Sequence, residues 1–117
     1  LFRSKKVTAG KYRINLVIEN CSEYVSEKLF EAHLSQNIVI YVGANLASEG
    51  INPGIAIEVS PKISCIKDAI MQIQSLHPKE QYKLMRKQHA IARQESKKRF
   101  NEKVLENLAK SISKDLS

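Results

Sequence analysis

Short runs of apolar residues, each followed by a polar segment, dominate the first half of the chain. The runs at 16–18 and 38–42 are aliphatic apart from one tyrosine. Such continuous runs are typical of strands that are buried on both faces of a parallel sheet. A third strand is predicted over 55–59, and apolar residues on one side of 27–35 predict a helix. The pattern therefore predicts a strand–loop–helix–strand unit over 12–43.

Helical periodicity replaces these runs in the second half of the chain. Isoleucine recurs there at spacings of three and four, at Ile63, Ile66, Ile70 and Ile73. This spacing predicts a helix over 62–76 that packs one face on the sheet. Two further helices are predicted, one over 78–97 with a weak apolar face and a last one with a clear apolar stripe. The stripe comprises Phe100, Val104, Leu105, Leu108, Ile112 and Leu116.

The predicted fold is α/β, with a partial Rossmann-like parallel sheet of about three strands followed by C-terminal helices. Residues 1–11 show no clear period and are interpreted as a leader, 12–76 as the α/β core, and 77–117 as the helical region of a single partial domain. Three strands leave a sheet edge uncovered. We therefore expect a homodimer with exchanged C-terminal helices, or a compact monomer in which 1–11 folds back as an edge strand.

The polar loop that follows the first strand is the candidate binding site. It begins with Glu19 and Asn20 and leads to Ser26, whose hydroxyl can cap the next helix. The carboxyl ends of parallel strands form the crevice in which α/β proteins bind ligands, and a helix N-terminus there attracts anions. The sequence therefore predicts a phosphate or diphosphate site with five candidate residues: Glu19, Asn20, Tyr24, Glu27 and Lys28.

Each candidate also has an interpretation that involves no ligand. Lys28 can place its ammonium beside the anion or be an ordinary surface lysine. Glu27 can accept hydrogen bonds from sugar or ribose hydroxyls, or it can favour the start of the helix. Tyr24 offers a hydroxyl to a phosphate or a ring for packing. Asn20 turns the chain or contacts the ligand, and Glu19 is a carboxylate at the end of a strand.

Five segments of the first half stand in a particular order: Tyr12-Arg13-Ile14, Leu16-Val17-Ile18, Glu19-Asn20, Tyr24-Val25-Ser26-Glu27-Lys28 and Ile38-Val39-Ile40-Tyr41-Val42-Gly43. In this order they resemble the C-terminal half of the α-1,3-fucosyltransferases. The family pattern is Tyr-Lys-Phe, a hydrophobic pair, Phe-Glu-Asn, Tyr-Val-Thr-Glu-Lys and Ile-Pro-Ile-Tyr-Trp-Gly. The likeness covers residues 11–85. Ser26 stands where the family has Thr, and Val39 and Val42 stand where it has Pro and Trp.

The resemblance implies an inverting fucosyltransferase of the GT-B architecture, which transfers fucose from GDP-fucose to a glycan acceptor. It implies that Tyr24, Glu27 and Lys28 hold the diphosphate and sugar of the donor, and that neither a metal nor a cofactor is required. The acceptor site and the catalytic base belong to an N-terminal domain in that family. The expectation is therefore an inactive, donor-binding fragment that carries no catalytic residue itself.

Composition excludes several other classes of protein. The chain is 43% hydrophobic and 26% charged, which is ordinary for a globular domain. No apolar run approaches the ~20 residues that span a bilayer. Cys21 and Cys65 lack metal spacing, and His33, His77 and His89 lie on separate predicted elements. We therefore expect no metal site and a reducing compartment, with the protein cytoplasmic or peripheral to a membrane.

The net charge of +7 is concentrated in the predicted helices. Nine of the basic residues lie between 79 and 103: Lys79, Lys83, Arg86, Lys87, Arg93, Lys97, Lys98, Arg99 and Lys103. This excess indicates a solvated surface, an anionic membrane, an acidic partner or nucleic acid. The alternative function is therefore a basic helical binding module without catalysis. Nucleic acid is the weaker partner because few aromatic side chains here can stack on bases.

Overall fold

The computed structural model describes residues 3–9, 12–19 and 27–116, and these form a four-stranded sheet with helices. In chain order the strands and helices are β1 (Arg3–Ala9), β2 (Tyr12–Ile18), α1 (Lys28–Glu31), β3 (Asn37–Val42), β4 (Ile57–Glu58), α2 (Ile63–Ser75) and α3 (Pro78–Leu116). Two 3₁₀ turns, Ala47–Glu49 and Pro53–Ile55, connect β3 to β4. The α/β class and the order of β2, α1, β3, β4 and α2 agree with the sequence analysis.

The sheet has the strand order β1-β2-β3-β4. Strands β2, β3 and β4 are parallel, and Ile18 pairs with Val42 at the carboxyl end of the first two. Strand β1 runs antiparallel to β2 along its whole length. Residues 3–9 of the expected leader are therefore an edge strand. Their apolar periodicity is weak because an edge strand is held by main-chain hydrogen bonds on one side, whatever its side chains are.

Both faces of the sheet are covered, as the continuous apolar runs predict. On one face the inward-facing residues Ile14, Ile38 and Ile40 pack against α2, chiefly through Ala69 and Ile73. The other face carries a second core, which lies under α1 and the two 3₁₀ turns and comprises Val17, Leu29, Val39, Tyr41, Leu46, Ile51 and Ile55. Alternate residues of a strand point to opposite faces, so each run supplies both cores.

Two elements are shorter than predicted. Helix α1 has four residues, and Glu27 occupies its N-cap position without a side-chain cap; Ser26, the expected cap, lies outside the described residues. After the helix, Asn37 donates from Nδ2 to the carbonyl of Ala32 over 2.9 Å. Strand β4 has two residues, because Pro53 begins a 3₁₀ turn that Asn52 caps through the amide of Gly54.

Helix α3 completes the edge of β3 that β4 is too short to cover. The side-chain amide of Gln88 accepts from Val39 N over 2.8 Å and donates to Val39 O over 3.1 Å. His89 Nε2 lies 3.0 Å from Asn37 O. Two residues after Val39, Tyr41 O accepts from Val59 N over 3.0 Å. Alternate residues of a strand point their main-chain groups to the same edge, so two helical side chains continue the ladder that β4 begins.

The position of α3 explains why it joins the two cores. Met85 belongs to the core under α2, and Ala92 belongs to the core under α1. The helix therefore passes the edge of the sheet from one face to the other.

Helix α3 continues without a break for 39 residues, where the sequence predicts two helices. The predicted apolar stripe lies on this helix, but from Phe100 to Ile112 its side chains are exposed rather than packed on the sheet, with Phe100 66% exposed.

Candidate functional site

The candidate site lies at the carboxyl edge of the parallel strands. Glu19 directly follows the last residue of β2, and Glu27 directly precedes α1, which starts at Lys28. Asn20 and Tyr24 lie outside the described residues, so their roles stay predictions. Of the five candidates, the structure therefore describes Glu19, Glu27 and Lys28.

Glu19 extends the pairing of β2 with β3 by one residue. Its N–H donates to Val42 O over 2.9 Å, and its carboxylate lies beside the hydroxyl of Tyr41 on the neighbouring strand. Tyr41 is fully buried. Burial raises the pKa of Tyr41, and the adjacent Glu19 carboxylate raises it further. The phenol therefore stays protonated at neutral pH. Its hydroxyl can donate a hydrogen bond to the Glu19 carboxylate and so orient it.

Tyr41 is a site residue that the sequence analysis missed. It was assigned to the apolar run of β3, although its polar tip reaches the carboxyl edge. A second carboxylate, that of Glu58 at the end of β4, also lies close enough to raise the pKa of Tyr41, and it accepts from Leu46 N over 3.1 Å. The available signal in the sequence was a tyrosine two residues before a glycine, Gly43. A Cβ at Gly43 would lie 2.5 Å from the Tyr41 hydroxyl oxygen, so only glycine leaves room for it.

Glu27 and Lys28 are exposed at the start of α1. Glu27 Oε1 lies 3.9 Å from Lys103 Nζ on α3, and Lys28 Nζ lies 3.7 Å from Glu31 Oε2 within α1. Both pairs are solvent-exposed and therefore weak, so a ligand can exchange for either partner at small cost. The three described candidates thus form two groups: Glu19 with Tyr41 at the strand ends, and Glu27 with Lys28 at the helix start.

A groove of about 580 Å³ lies between α1 and α3, and Glu27 lines it. Its apolar surface comes from Phe30, Leu34 and Phe100. The guanidinium of Arg99 stacks 4.8 Å from the centre of the Phe30 ring, an arrangement that fixes a cation over an aromatic face. The groove thus combines carboxylate acceptors for hydroxyl groups, cations for an anion, and apolar surface for a ring. The sequence analysis did not predict it, because its two walls are 62 or more residues apart in the chain.

The two histidines near the groove are packing residues. His33 Nε2 lies 2.7 Å from Ile55 O and Nδ1 lies 2.9 Å from Leu29 O, while the ring meets His89 edge-on at 5.5 Å. Burial lowers the pKa of both histidines, and the neighbouring Arg86 and Arg93 lower that of His89 further. Both are therefore neutral at pH 7. A neutral ring carries one N–H, so His89 can donate to Asn37 O, and His33 can donate to one of its two neighbouring carbonyl oxygens.

Comparison with models of protein families, with curated proteins and with solved structures found no match. Within the described ranges 3–9, 12–19 and 27–116, no group of His, Cys, Asp and Glu side chains is arranged to hold a metal ion. None of the helices in those ranges is long and apolar enough to cross a membrane.

Proposed function

We propose that the chain is the donor-binding part of an inverting fucosyltransferase, which uses GDP-fucose and transfers fucose to a glycan acceptor. The observation that supports this proposal is the parallel unit β2–loop–α1–β3, with Ile18 paired to Val42. In such a unit the loop after the first strand and the start of the helix meet at the ligand-binding edge. Glu19, Glu27 and Lys28 occupy those positions.

The chemistry of these side chains suits a nucleoside diphosphate sugar. Lys28 supplies an ammonium to the diphosphate and so stabilises the charge that the leaving group gains during transfer. Glu27, at the mouth of the groove, accepts hydrogen bonds from ribose or fucose hydroxyls once it leaves Lys103. Arg99 and Lys103 are the cations of the same groove, whose lining also holds the carboxylates of Glu31, Glu102 and Glu106. The proposal also includes Tyr24 and Asn20 as ligand contacts.

The finer architecture belongs to the same proposal. We infer that the sheet is part of the C-terminal half of a GT-B enzyme. In such an enzyme the base that takes the acceptor's proton lies in the opposite domain, so this chain binds the donor and does not catalyse transfer alone. We place the enzyme in a reducing compartment, in the cytoplasm or at a membrane surface.

Calorimetric titration of the chain with GDP and GDP-fucose tests the proposal. We expect binding that weakens by about tenfold when Lys28→Ala or Glu27→Ala removes a charge-assisted hydrogen bond. Lys67→Ala on α2 and Glu80→Ala on α3 remove exposed side chains of the same charge away from the site and should leave the affinity unchanged. Absence of binding at millimolar nucleotide, or equal affinity of all four variants, would contradict the donor site.

The second candidate function is a basic helical module for nucleic acid or an acidic partner. Its support is the exposed basic residues on α3 between 79 and 98. Binding of this kind depends on counterion release, so the affinity for DNA or RNA would fall steeply with salt and be independent of sequence. A filter-binding titration at two salt concentrations distinguishes it: a chain that binds GDP but not nucleic acid at low salt is not such a module.

A further inference from the structure

Helix α3 carries two different lines of side chains along its length. The inward line, at spacings of three and four, holds Gln81, Met85, Gln88 and Ala92, all of which are buried. Continued at the same spacing, this line reaches Ser96, Arg99, Lys103 and Glu106, which are polar and exposed. Residues at these spacings share one side of a helix. The side of α3 that packs on the sheet therefore becomes polar beyond residue 95.

The outward line has the opposite composition. It begins with five exposed cations, Lys79, Lys83, Arg86, Arg93 and Lys97. At the same spacing it continues with four exposed apolar residues, Phe100, Val104, Leu108 and Ile112, which are 40–66% exposed. From Lys79 to Ile112 no carboxylate occupies a position on this line, and the next position at the same spacing is Asp115. One side of a 39-residue helix is thus basic along its first half and apolar along its second.

The neighbouring cations are directed differently. Lys98 Nζ donates to Gly50 O over 3.3 Å, Arg99 stacks on Phe30, and Lys103 pairs with Glu27. These contacts hold three of the basic side chains of α3 against the rest of the chain. The outward line is therefore separate from the sheet, and it meets the groove at Phe100.

We propose that this outward line of α3 binds the surface of an anionic lipid bilayer. A helix lying in the plane of the membrane would set the five cations against lipid phosphates, while the four apolar side chains enter the boundary between headgroups and acyl chains. Both halves of the line are then used at once. The inference does not depend on the nucleotide site, because Glu19, Glu27 and Lys28 do not belong to the line, which shares only the apolar side chain of Phe100 with the groove.

Two other occupants fit the same line less well. Nucleic acid complements the cations, but it offers nothing to an aliphatic stripe of three residues and one phenylalanine. A second copy packed side by side would cover the stripe but would bring two basic lines together, which is unfavourable. A bilayer with anionic headgroups is complementary to both the charge and the apolar surface.

Co-sedimentation with vesicles tests the electrostatic half of the line. The chain should bind vesicles of phosphatidylcholine with phosphatidylglycerol, and bind pure phosphatidylcholine far more weakly. Replacing Lys83 and Lys97 together by Gln should weaken binding to anionic vesicles by about 30-fold, since each cation near such a surface contributes a factor of several. The double variant Lys110→Gln with Lys114→Gln is the control: it removes the same charge from a different side of the helix, and each pair of lysines includes one that pairs with a glutamate.

The apolar half needs its own variant. Leu108→Ser with Ile112→Ser should also reduce sedimentation about tenfold or more, as expected for apolar side chains leaving the bilayer. Ile63→Ser with Met71→Ser removes two similarly exposed apolar side chains from α2 and should have no effect. Circular dichroism checks that every variant stays folded, which is expected because all these positions are exposed.

Three results would overturn the proposal. The first is equal sedimentation of the Lys83/Lys97 and Lys110/Lys114 variants. The second is tight binding to RNA together with no binding to anionic vesicles at low salt. The third is a dimer by light scattering that Leu108→Ser with Ile112→Ser dissociates, because the stripe would then be an interface between two copies of the chain.

Discussion

The two halves of α3 have the same secondary structure and opposite environments. In the first half, Met85 and Gln88 are 3% and 1% exposed and Gln88 completes the hydrogen bonding of β3. In the second half, Leu105 and Leu108 are 66% and 54% exposed. Apolar content does not explain this difference in burial, since the exposed half contains more aliphatic residues than the buried half. The difference arises because the apolar positions of the second half lie on the side that faces away from the sheet.

The largest loss in the free energy of unfolding should come from a polar residue in the first half of α3, Gln88. Gln88→Ala leaves both Val39 N and Val39 O buried without a partner and opens a small cavity. Each orphaned main-chain group costs about 1–3 kcal/mol, so we expect a loss of about 4 kcal/mol in the free energy of unfolding. Urea denaturation followed by circular dichroism measures this loss. Gln94→Ala, at an exposed position of the same helix, should change it by less than about 0.5 kcal/mol.

Apolar truncation gives the direct comparison between the halves. Met85→Ala removes a buried side chain from the core under α2 and should cost about 3 kcal/mol. Leu108→Ala removes an exposed side chain and should cost roughly 0.5 kcal/mol or less. Equal losses in urea denaturation would contradict this comparison and would mean that the second half packs against something in solution.

The sequence predicted the parallel core well because buried parallel strands have a simple signature. The runs at 16–18 and 38–42 contain enough Leu, Ile and Val to identify strands covered on both faces. It could not predict that Gln88 completes β3, because a glutamine in an exposed-looking helix carries no signal of the main-chain groups it meets. Nor could it predict the orientation of the stripe, since periodicity gives the width of an apolar face but not what lies opposite it.

The candidate site was predicted unevenly for a related reason. Glu19, Glu27 and Lys28 follow from their positions at a strand end and a helix start, which are local features. Tyr41 and the groove depend on contacts between residues far apart in the chain. Spacing along the sequence cannot reveal such contacts, so both were found only in the structure.

Acidic pH should destabilise the folded chain through two partly buried histidines, His33 after α1 and His89 in the first half of α3. His33 and His89 have lowered pKa values in the folded chain, mainly because they are buried. The unfolded chain therefore takes up protons first, at the ordinary histidine pKa of 6.5. Stability is fully present above that pH and is lost as the pH falls below it towards the folded values. Urea midpoints between pH 8 and pH 5 measure the loss.

Substitution identifies the groups responsible for this pH dependence. His89→Gln can keep a hydrogen bond to Asn37 O while removing one titrating ring, so it should flatten the decline in the urea midpoint. His77→Gln is the control, because His77 is exposed and lies just before α3. The assignment would be wrong if His89→Gln and His77→Gln had the same slope against pH.

The smallest effect on stability is expected where α1 meets the second half of α3. The Glu27–Lys103 pair is about three-quarters exposed on each side and spans 3.9 Å, so Lys103→Gln should change the free energy of unfolding by less than about 0.5 kcal/mol. A double-mutant cycle with Glu27→Gln isolates that coupling.

The same variants also test the proposed function, because Lys103→Gln frees Glu27 from its partner. If Glu27 accepts donor hydroxyls, Glu27→Gln should weaken GDP-fucose binding while both single variants stay equally stable. A loss of affinity that follows the loss of stability would instead show that Glu27 only positions α1.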